Sequence, residues 1–286
     1  ASKADNWSKN LVFETMATYN KTFNRNHSLN VVAAFSYERG DYGNKAMVAT
    51  GFPQDLTEDF DMSAAVNPQK PTSGRGMTSL VSFLGRANYN LMNKYLFTAS
   101  FRRDGSSKFA PGNKWSNFAS GAIAWRASEE QFIKDLNVFS NLKFRASYGQ
   151  TGNQAIGAYA TRDYLTVANY PINGALASGF ANLTWRGPAN PDLKWETTSQ
   201  YNVGVDMGFF QNRINLTIDL YYKKTSDLLQ NIQIPQSTGF SNMTTNFGNV
   251  TNKGLEITGK FYAITGKNLN WDFDANISFN RNKISG

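Results

Sequence analysis

Apolar and polar positions alternate along much of this chain. In 200–210, Tyr201, Val203, Val205, Met207 and Phe209 share one parity, and Asn202, Gly204, Asp206 and Gly208 the other. Successive side chains of a strand point to opposite faces, so this pattern predicts a β-strand with one greasy face. Ten segments read this way: 11–19, 28–39, 79–91, 95–103, 115–127, 141–150, 200–210, 213–224, 253–264 and 270–281. The fold class is all-β.

The connections alternate as well. Short ones (20–27, 92–94, 128–140, 211–212, 265–269) take turns with longer ones (40–78, 104–114, 151–199, 225–252). The segment 128–140 predicts a helix of one or two turns, capped by Ser128 with Glu129 and Glu130 in its first turn. A helical period in 55–66 predicts another small helix inside a long loop. All eight prolines fall in the longer connections and none in a predicted strand, as expected where each strand pairs on both sides.

Alternation alone does not separate a soluble β-sandwich from a membrane barrel. The loop asymmetry does. A sandwich has no reason to keep short turns at one end and long loops at the other, whereas a transmembrane barrel has periplasmic turns and extracellular loops. Predicted strands of 9–13 residues also suit the ~9–11 tilted residues that cross hydrocarbon. The apolar parity is almost free of charge. The other carries Arg86, Arg102, Arg145, Asp206, Asp219 and Glu256, among others, as a water-filled lumen would require. Tyr and Trp gather near strand ends, and Trp115, Trp125, Trp195 and Trp271 are candidates for the interface girdle.

Composition narrows the chemistry. Mean hydropathy is −0.46 and charged residues are 17%, with no apolar run long enough for a membrane helix. Cysteine is absent, which removes disulfides, thiolate metal sites and thiol catalysis. The single histidine, His27, reads as a solvated turn residue. Net charge is +8, but the basic residues are scattered and the aromatics follow strand parity, so nucleic acid is not expected as a partner. Asp272 and Asp274 share a face, yet they read as lumen lining rather than an acid–base pair. "SNLK" (140–143) and "KTS" (224–226) imitate a Ser–Lys device but place the lysine on a strand, not on the helix that device needs. No catalytic residue, metal ligand or cofactor site is expected, and the chain is not read as an enzyme. The 151–199 loop is far longer than an ordinary connection. Its Tyr159, Tyr164, Tyr170 and Trp185 are candidate ligand contacts, with loop packing as the competing role.

Several stretches carry a resemblance: "YLFTASFRRDGSSKF" (95–109), "LKFRASYGQTGNQAIGAY" (142–159), "NPDLKWETTSQYNVGVDMGFF" (190–210), "LYYKKTSDLL" (220–229) and "FGNVTNKGLEITG" (247–259). They resemble the SusC/RagA family of TonB-dependent outer-membrane transporters. "NPDLKWE" is similar to an Asn-Pro-x-Leu-Lys-Pro-Glu signature, with Trp195 in place of proline, and "NKGLE" to the Asn-x-Gly-x-Glu signature that follows it. The resemblance implies an outer-membrane barrel of about 22 strands with a plug in its lumen. It implies a SusD-like surface lipoprotein partner, import of glycans or peptides, and energy from TonB and the proton-motive force. Residues 1–286 are then expected to form about ten strands of that barrel domain, with the plug, the TonB box and the closing strand absent. A non-transporting outer-membrane barrel, adhesin-like or for assembly, and a soluble sandwich binding module stay open as alternatives.

Overall fold

The computed structural model describes residues 1–53, 60–172, 175–182 and 187–285. Ten long strands form its wall: β1 (Ser2–Phe23), β2 (His27–Thr50), β4 (Thr72–Leu91), β5 (Tyr95–Ser106), β6 (Trp115–Arg126), β7 (Phe139–Asn153), β10 (Glu196–Phe209), β11 (Ile214–Ser226), β14 (Asn249–Thr265) and β15 (Asn270–Ser285). They lie side by side in chain order, all antiparallel, with the short β3 (Asn67–Pro68) pairing to β2. The other two sheets are two-stranded hairpins, β8 (Leu165–Ile172) with β9 (Ala175–Asn182) and β12 (Leu229–Gln233) with β13 (Asn242–Asn246). Among the described residues no second sheet covers the wall, so the sandwich alternative fails. The sheet is a single layer and does not close.

Register explains why one face is greasy across the whole wall. Tyr201 pairs with Tyr148 on one side and Tyr222 on the other, and Val205 with Phe144 and Ile218. The apolar parities of adjacent strands therefore fall in common rows, which a one-residue slip would destroy. Large side chains in these rows stay bare, with Val203 at 58% and Phe279 at 57% exposure. Two aromatic rows bound the apolar band. Near the loop end, the Tyr201 ring lies 4.8 Å from Tyr148 and 6.4 Å from Tyr222. Near the short-turn end, Phe139 meets Phe209 at 5.2 Å and Phe261 meets Phe273 at 4.8 Å. From Tyr201 to Phe209 is about 27 Å along the strand at ~3.4 Å per residue. At a tilt of ~40° that is about 20 Å of height, of the order of an outer-membrane barrel's apolar band.

The structure departs from the sequence reading in several places. The wall strands run longer than the predicted 9–13 residues: β1, β2 and β4 have 22, 24 and 20 residues. Their ladders continue toward the loop end through stretches such as Asn44–Ala46 against Thr72–Gly74. Both faces are polar there, so the backbone stays paired while the period-two signal disappears. The hairpins β8–β9 and β12–β13 lie inside connections read as loops. Pro68 and Pro171 do sit in strands, β3 and β8, although the wall strands contain no proline. Of the helix predicted over 55–66, residues 55–59 lie outside the described residues, and the described part forms a 3-10 turn, Met62–Ala64.

Ser128 does not cap the short helix either. It lies in a 3-10 turn, and the helical turn Gln131–Lys134 (α1) starts after Glu130 with no side-chain cap. Glu130 is occupied elsewhere. It accepts from Lys94 Nζ at 2.6 Å, Tyr95 Oη at 2.7 Å and Trp125 Nε1 at 3.4 Å. These donors pin the 127–134 connection to the rim of β5 and β6. The lysine bond, followed by the tyrosine bond, holds the Glu130 carboxyl below its ordinary value of 4.5. A depressed carboxyl contributes stability above its unfolded pKa and loses it as pH falls through the folded one. Protection of the 127–134 amides, taken relative to their intrinsic exchange rates, is therefore expected to fall as pH drops below 4.5, and Glu130→Gln to remove that dependence. An unchanged pH profile in the variant would count against the pin.

Candidate functional site

The lumenal parity of β7, β10 and β11 carries a charge cluster that the register assembles. Arg145, Gly204 and Asp219 fall in one row across the three strands. Arg145 donates from Nε to Asp206 Oδ2 at 2.9 Å and from Nη2 to Asp206 Oδ1 at 3.0 Å, then reaches Asp219 Oδ2 at 3.2 Å. To do so the guanidinium crosses β10 directly above Gly204. A Cβ at Gly204 would sit 2.9 Å from Arg145 Nη2 and closer still to Asp219 Oδ1. The missing side chain is thus a saddle for a three-strand ion bridge. Thr217 Oγ1 also donates to Asp206, at 3.1 Å. Farther along the same face, Lys260 lies 3.9 Å from Asp272 and 3.8 Å from Asp274. Those two carboxylates flank a cation, the arrangement of a lining. Among the described residues no cluster of His, Asp and Glu could hold a metal ion.

At the loop end the same face carries the best-packed part of the molecule. Phe109, Phe118, Ile156, Leu193 and Trp195 are buried together, with Leu80 and Leu229 against them. The "NPDLKWE" stretch is the latch of this cluster. Asn190 accepts from the Asp192 amide at 3.1 Å, closing a turn, and donates to the Thr244 carbonyl at 2.9 Å. Leu193 is completely buried. The Lys194 backbone is gripped at both ends by Asn246, whose Oδ1 accepts from its amide and whose Nδ2 donates to its carbonyl, each at 2.9 Å. Lys194 Nζ pairs with Asp227 at 3.1 Å. Trp195 packs on Phe109 and Phe118 and donates from Nε1 to the Lys114 carbonyl at 2.9 Å. Glu196 accepts from the Leu229 amide and from Asn153 Nδ2, both at 3.1 Å. One heptad thereby joins the 107–114 loop, the 154–195 loop and the β12–β13 hairpin.

This corrects the girdle expectation for Trp195. Its ring is 5% exposed and lies over Phe118, on the lumenal parity, so it cannot stand in a lipid interface. The other three tryptophans are on the outer parity. Trp115 is 44% exposed beneath the Arg103 guanidinium, and Trp271 is 57% exposed beside Phe273. Trp125 is half-buried, stacked 5.8 Å from Phe144, with its N–H turned to Glu130. The loop tyrosines separate by environment. Tyr164 Oη is used inside the loop, donating to the Ala158 carbonyl at 2.8 Å. Tyr159 is half-buried in a left-handed conformation (φ 61°) with Arg162 over its ring at 5.7 Å. Tyr170 is exposed on the β8–β9 hairpin, on the opposite face from the bare Val167–Phe180 pair. Trp185 lies outside the described residues. His27 differs from the solvated reading: its Nδ1 is 2.6 Å from the Tyr89 hydroxyl.

Sequence reasoning missed Gly204, Asn246 and the Phe109–Phe118 floor. The identity of these residues was visible, but their partners lie far away in the chain and become known only with the register. A recess of about 420 Å³ also opens on the lumenal parity of β1, β2 and β4, walled in part by Lys108 and Gln154. Lys108 Nζ donates to the Gln154 carbonyl at 3.2 Å, and burial lowers its pKa.

A single-layer, two-faced meander with short turns at one end and a latched loop cluster at the other defines a membrane barrel wall. The comparisons agree. The family described as TonB dependent receptor-like, beta-barrel matches residues 2–285, and the chain belongs to it. "TonB-dependent receptor P39" of Formosa agariphila is 38% identical over 95% of this chain and 26% of its own length. "TonB-dependent receptor SusC" of Bacteroides thetaiotaomicron is 41% identical over 72% of this chain and 21% of its own. Among solved structures, that of the RagAB peptide transporter superposes with a TM-score of 0.88 at 27% identity, covering 99% of this chain and 31% of that one. The chain spans about a quarter of the length of the curated relatives it matches. Its wall is that of a bacterial outer-membrane barrel, so short turns are periplasmic and long loops extracellular.

Two outcomes follow from the site. Trp195→Ala is expected to cost about 3–5 kcal/mol locally and to open the 154–195 loop to protease, whereas Trp195→Phe keeps the packing and loses about 1 kcal/mol with the Lys114 bond. Gly204→Val is expected to destabilise the folded barrel by about 1–3 kcal/mol, read as a lowered thermal midpoint in detergent. Gly85→Ala, where an added Cβ meets nothing within 4 Å, serves as the neutral control. Equal midpoints for both variants would refute the saddle.

Proposed function

We propose that this chain is wall and extracellular loop of an outer-membrane active transporter that imports glycans or peptides, energised by TonB and the proton-motive force, together with a SusD-like surface lipoprotein. The observation that carries this reading is a wall with one bare apolar face and one charged, hydrogen-bonded face, in a chain of the TonB-dependent receptor family. An adhesin could use the same apolar face. It would not need lumenal charges held as precisely placed rows such as Arg145–Asp206–Asp219. A solved structure of similar fold is that of a peptide transporter, which keeps peptides beside glycans as cargo. No cofactor enters this function.

Within it, Trp115, Trp125 and Trp271 act as girdle residues, with their rings in lipid and their N–H groups toward the interface. Tyr170 is the best-placed ligand contact, because its ring is bare on an extracellular hairpin. Tyr159 and Trp185 belong to the same loop and join it as second contacts, and Tyr164 supports the loop from within. The residues of the latch hold the loops in place rather than touching cargo.

The test uses the intact transporter in its host. Labelled oligosaccharide and peptide pools are offered to cells with and without TonB, and with and without the neighbouring lipoprotein. Uptake of at least one pool is expected to require both, and Tyr170→Ala to weaken it several-fold with the barrel still folded. Uptake that persists without TonB would refute active transport.

A further inference from the structure

The outer face of β11, β14 and β15 carries a second feature that transport does not use. On the outer face of these three strands every charge is a cation. The carboxylates Asp219, Glu256, Asp272 and Asp274 all lie on the lumenal parity. The outer parity holds Lys224, Lys253, Arg281 and Lys283, and every one of them is at the extracellular end and exposed. Register draws these cations into two adjacent rows. Tyr222 pairs with Lys253 and Lys253 with Arg281, while Thr251 pairs with Lys224 and with Lys283. None of the four makes an ion pair with a carboxylate among the described residues.

Directly below the cations the face turns apolar. Leu220, Leu255 and Phe279 form the next row, and with Tyr222, Lys253 and Arg281 they line a groove of about 460 Å³. The groove therefore has a greasy floor inside the membrane band and a cationic top at headgroup height. At the same height the neighbouring strands β7 and β10 present neutral Gln150 and Ser199 instead. The four cations are thereby set apart from those two adjoining strands.

We propose that this patch binds an outer-leaflet lipid whose phosphate headgroup carries a net negative charge, with an acyl chain along Leu220, Leu255 and Phe279 and the phosphate held by Lys253 and Arg281, flanked by Lys224 and Lys283. The chemistry fits both parts. Arg offers a planar fork to phosphate oxygens and Lys a mobile point charge. Unpaired cations at a lipid interface gain by meeting an anionic headgroup. An aqueous anion would explain the cations but not the apolar groove beneath them, which is why the occupant is a lipid. The proposal rests on the wall facing lipid and not on cargo, so it can fail while transport stands.

The experiment is native mass spectrometry of the intact transporter in detergent, titrated with phosphatidic acid or phosphatidylcholine of matched chains. Phosphatidic acid is expected to be retained in preference to phosphatidylcholine. The combined variant K224Q/K253Q/R281Q/K283Q is expected to lose that retention by about tenfold or more, since each cation contributes to anionic-lipid attraction. The milder K253Q/R281Q pair guards against misfolding and is expected to show most of the loss. Lys223→Gln, on the lumenal parity of β11, is expected to retain the lipid unchanged. Equal retention of both lipids, or retention unaffected by the combined variant, would overturn the proposal. So would displacement of the lipid by inorganic phosphate alone, which would mark a bare anion site.

Discussion

A backbone inside hydrocarbon has no water to bond with, and each unpaired N–H or C=O there costs several kcal/mol. The rest of this structure follows from that constraint. Every wall strand between β1 and β15 is paired on both sides through the membrane band, and proline is confined to places where a missing donor does no harm. Once the ladder is obligatory, the register is fixed, and the register decides which side chains meet. The aromatic rows, the lumenal ion bridge and the outer cationic patch are all products of the same alignment.

The two faces solve opposite problems with one chain. The outer face leaves large apolar side chains bare, as lipid requires. The inner face must stay ordered without a hydrophobic core, and it does so with polar ties that span strands. Arg145 shows how much geometry this takes: its reach depends on the absence of a side chain at Gly204, on a different strand. Packing of the usual kind is reserved for the loop end, where Trp195 and Leu193 close over Phe109 and Phe118.

Much of this was legible in the sequence because period-two alternation, proline placement and loop asymmetry are local signals. The positions of Tyr201, Val203 and Val205 on one face needed only their parity. What the sequence could not show depended on distant partners or on segments with no contrast between faces. The upper ladders of β1, β2 and β4 are polar on both sides, so nothing in 44–46 or 72–74 marks a strand. Trp195 matched the parity of the lipid face and lay near a strand end, yet it precedes β10 and turns inward to meet Phe118, a residue from a different hairpin. The glutamate at 130 looked like a helix-start residue and instead serves the rim, because Lys94 and Tyr95 offer it stronger donors than the helix does.

The unequal strand lengths shape the mouth. β2 runs for 24 residues and β5 and β6 for only 12 each. At ~3.4 Å per residue the difference amounts to about 40 Å of strand. The rim is therefore a parapet over one stretch of the wall and a low sill over the next. The latched cluster stands behind the sill, where Trp195 and Phe109 bridge the gap the short strands leave. Anything that reaches the lumen sideways meets the parapet on one approach and the latch on the other, so shielding that long strands provide in one sector is supplied in the next by folded loops.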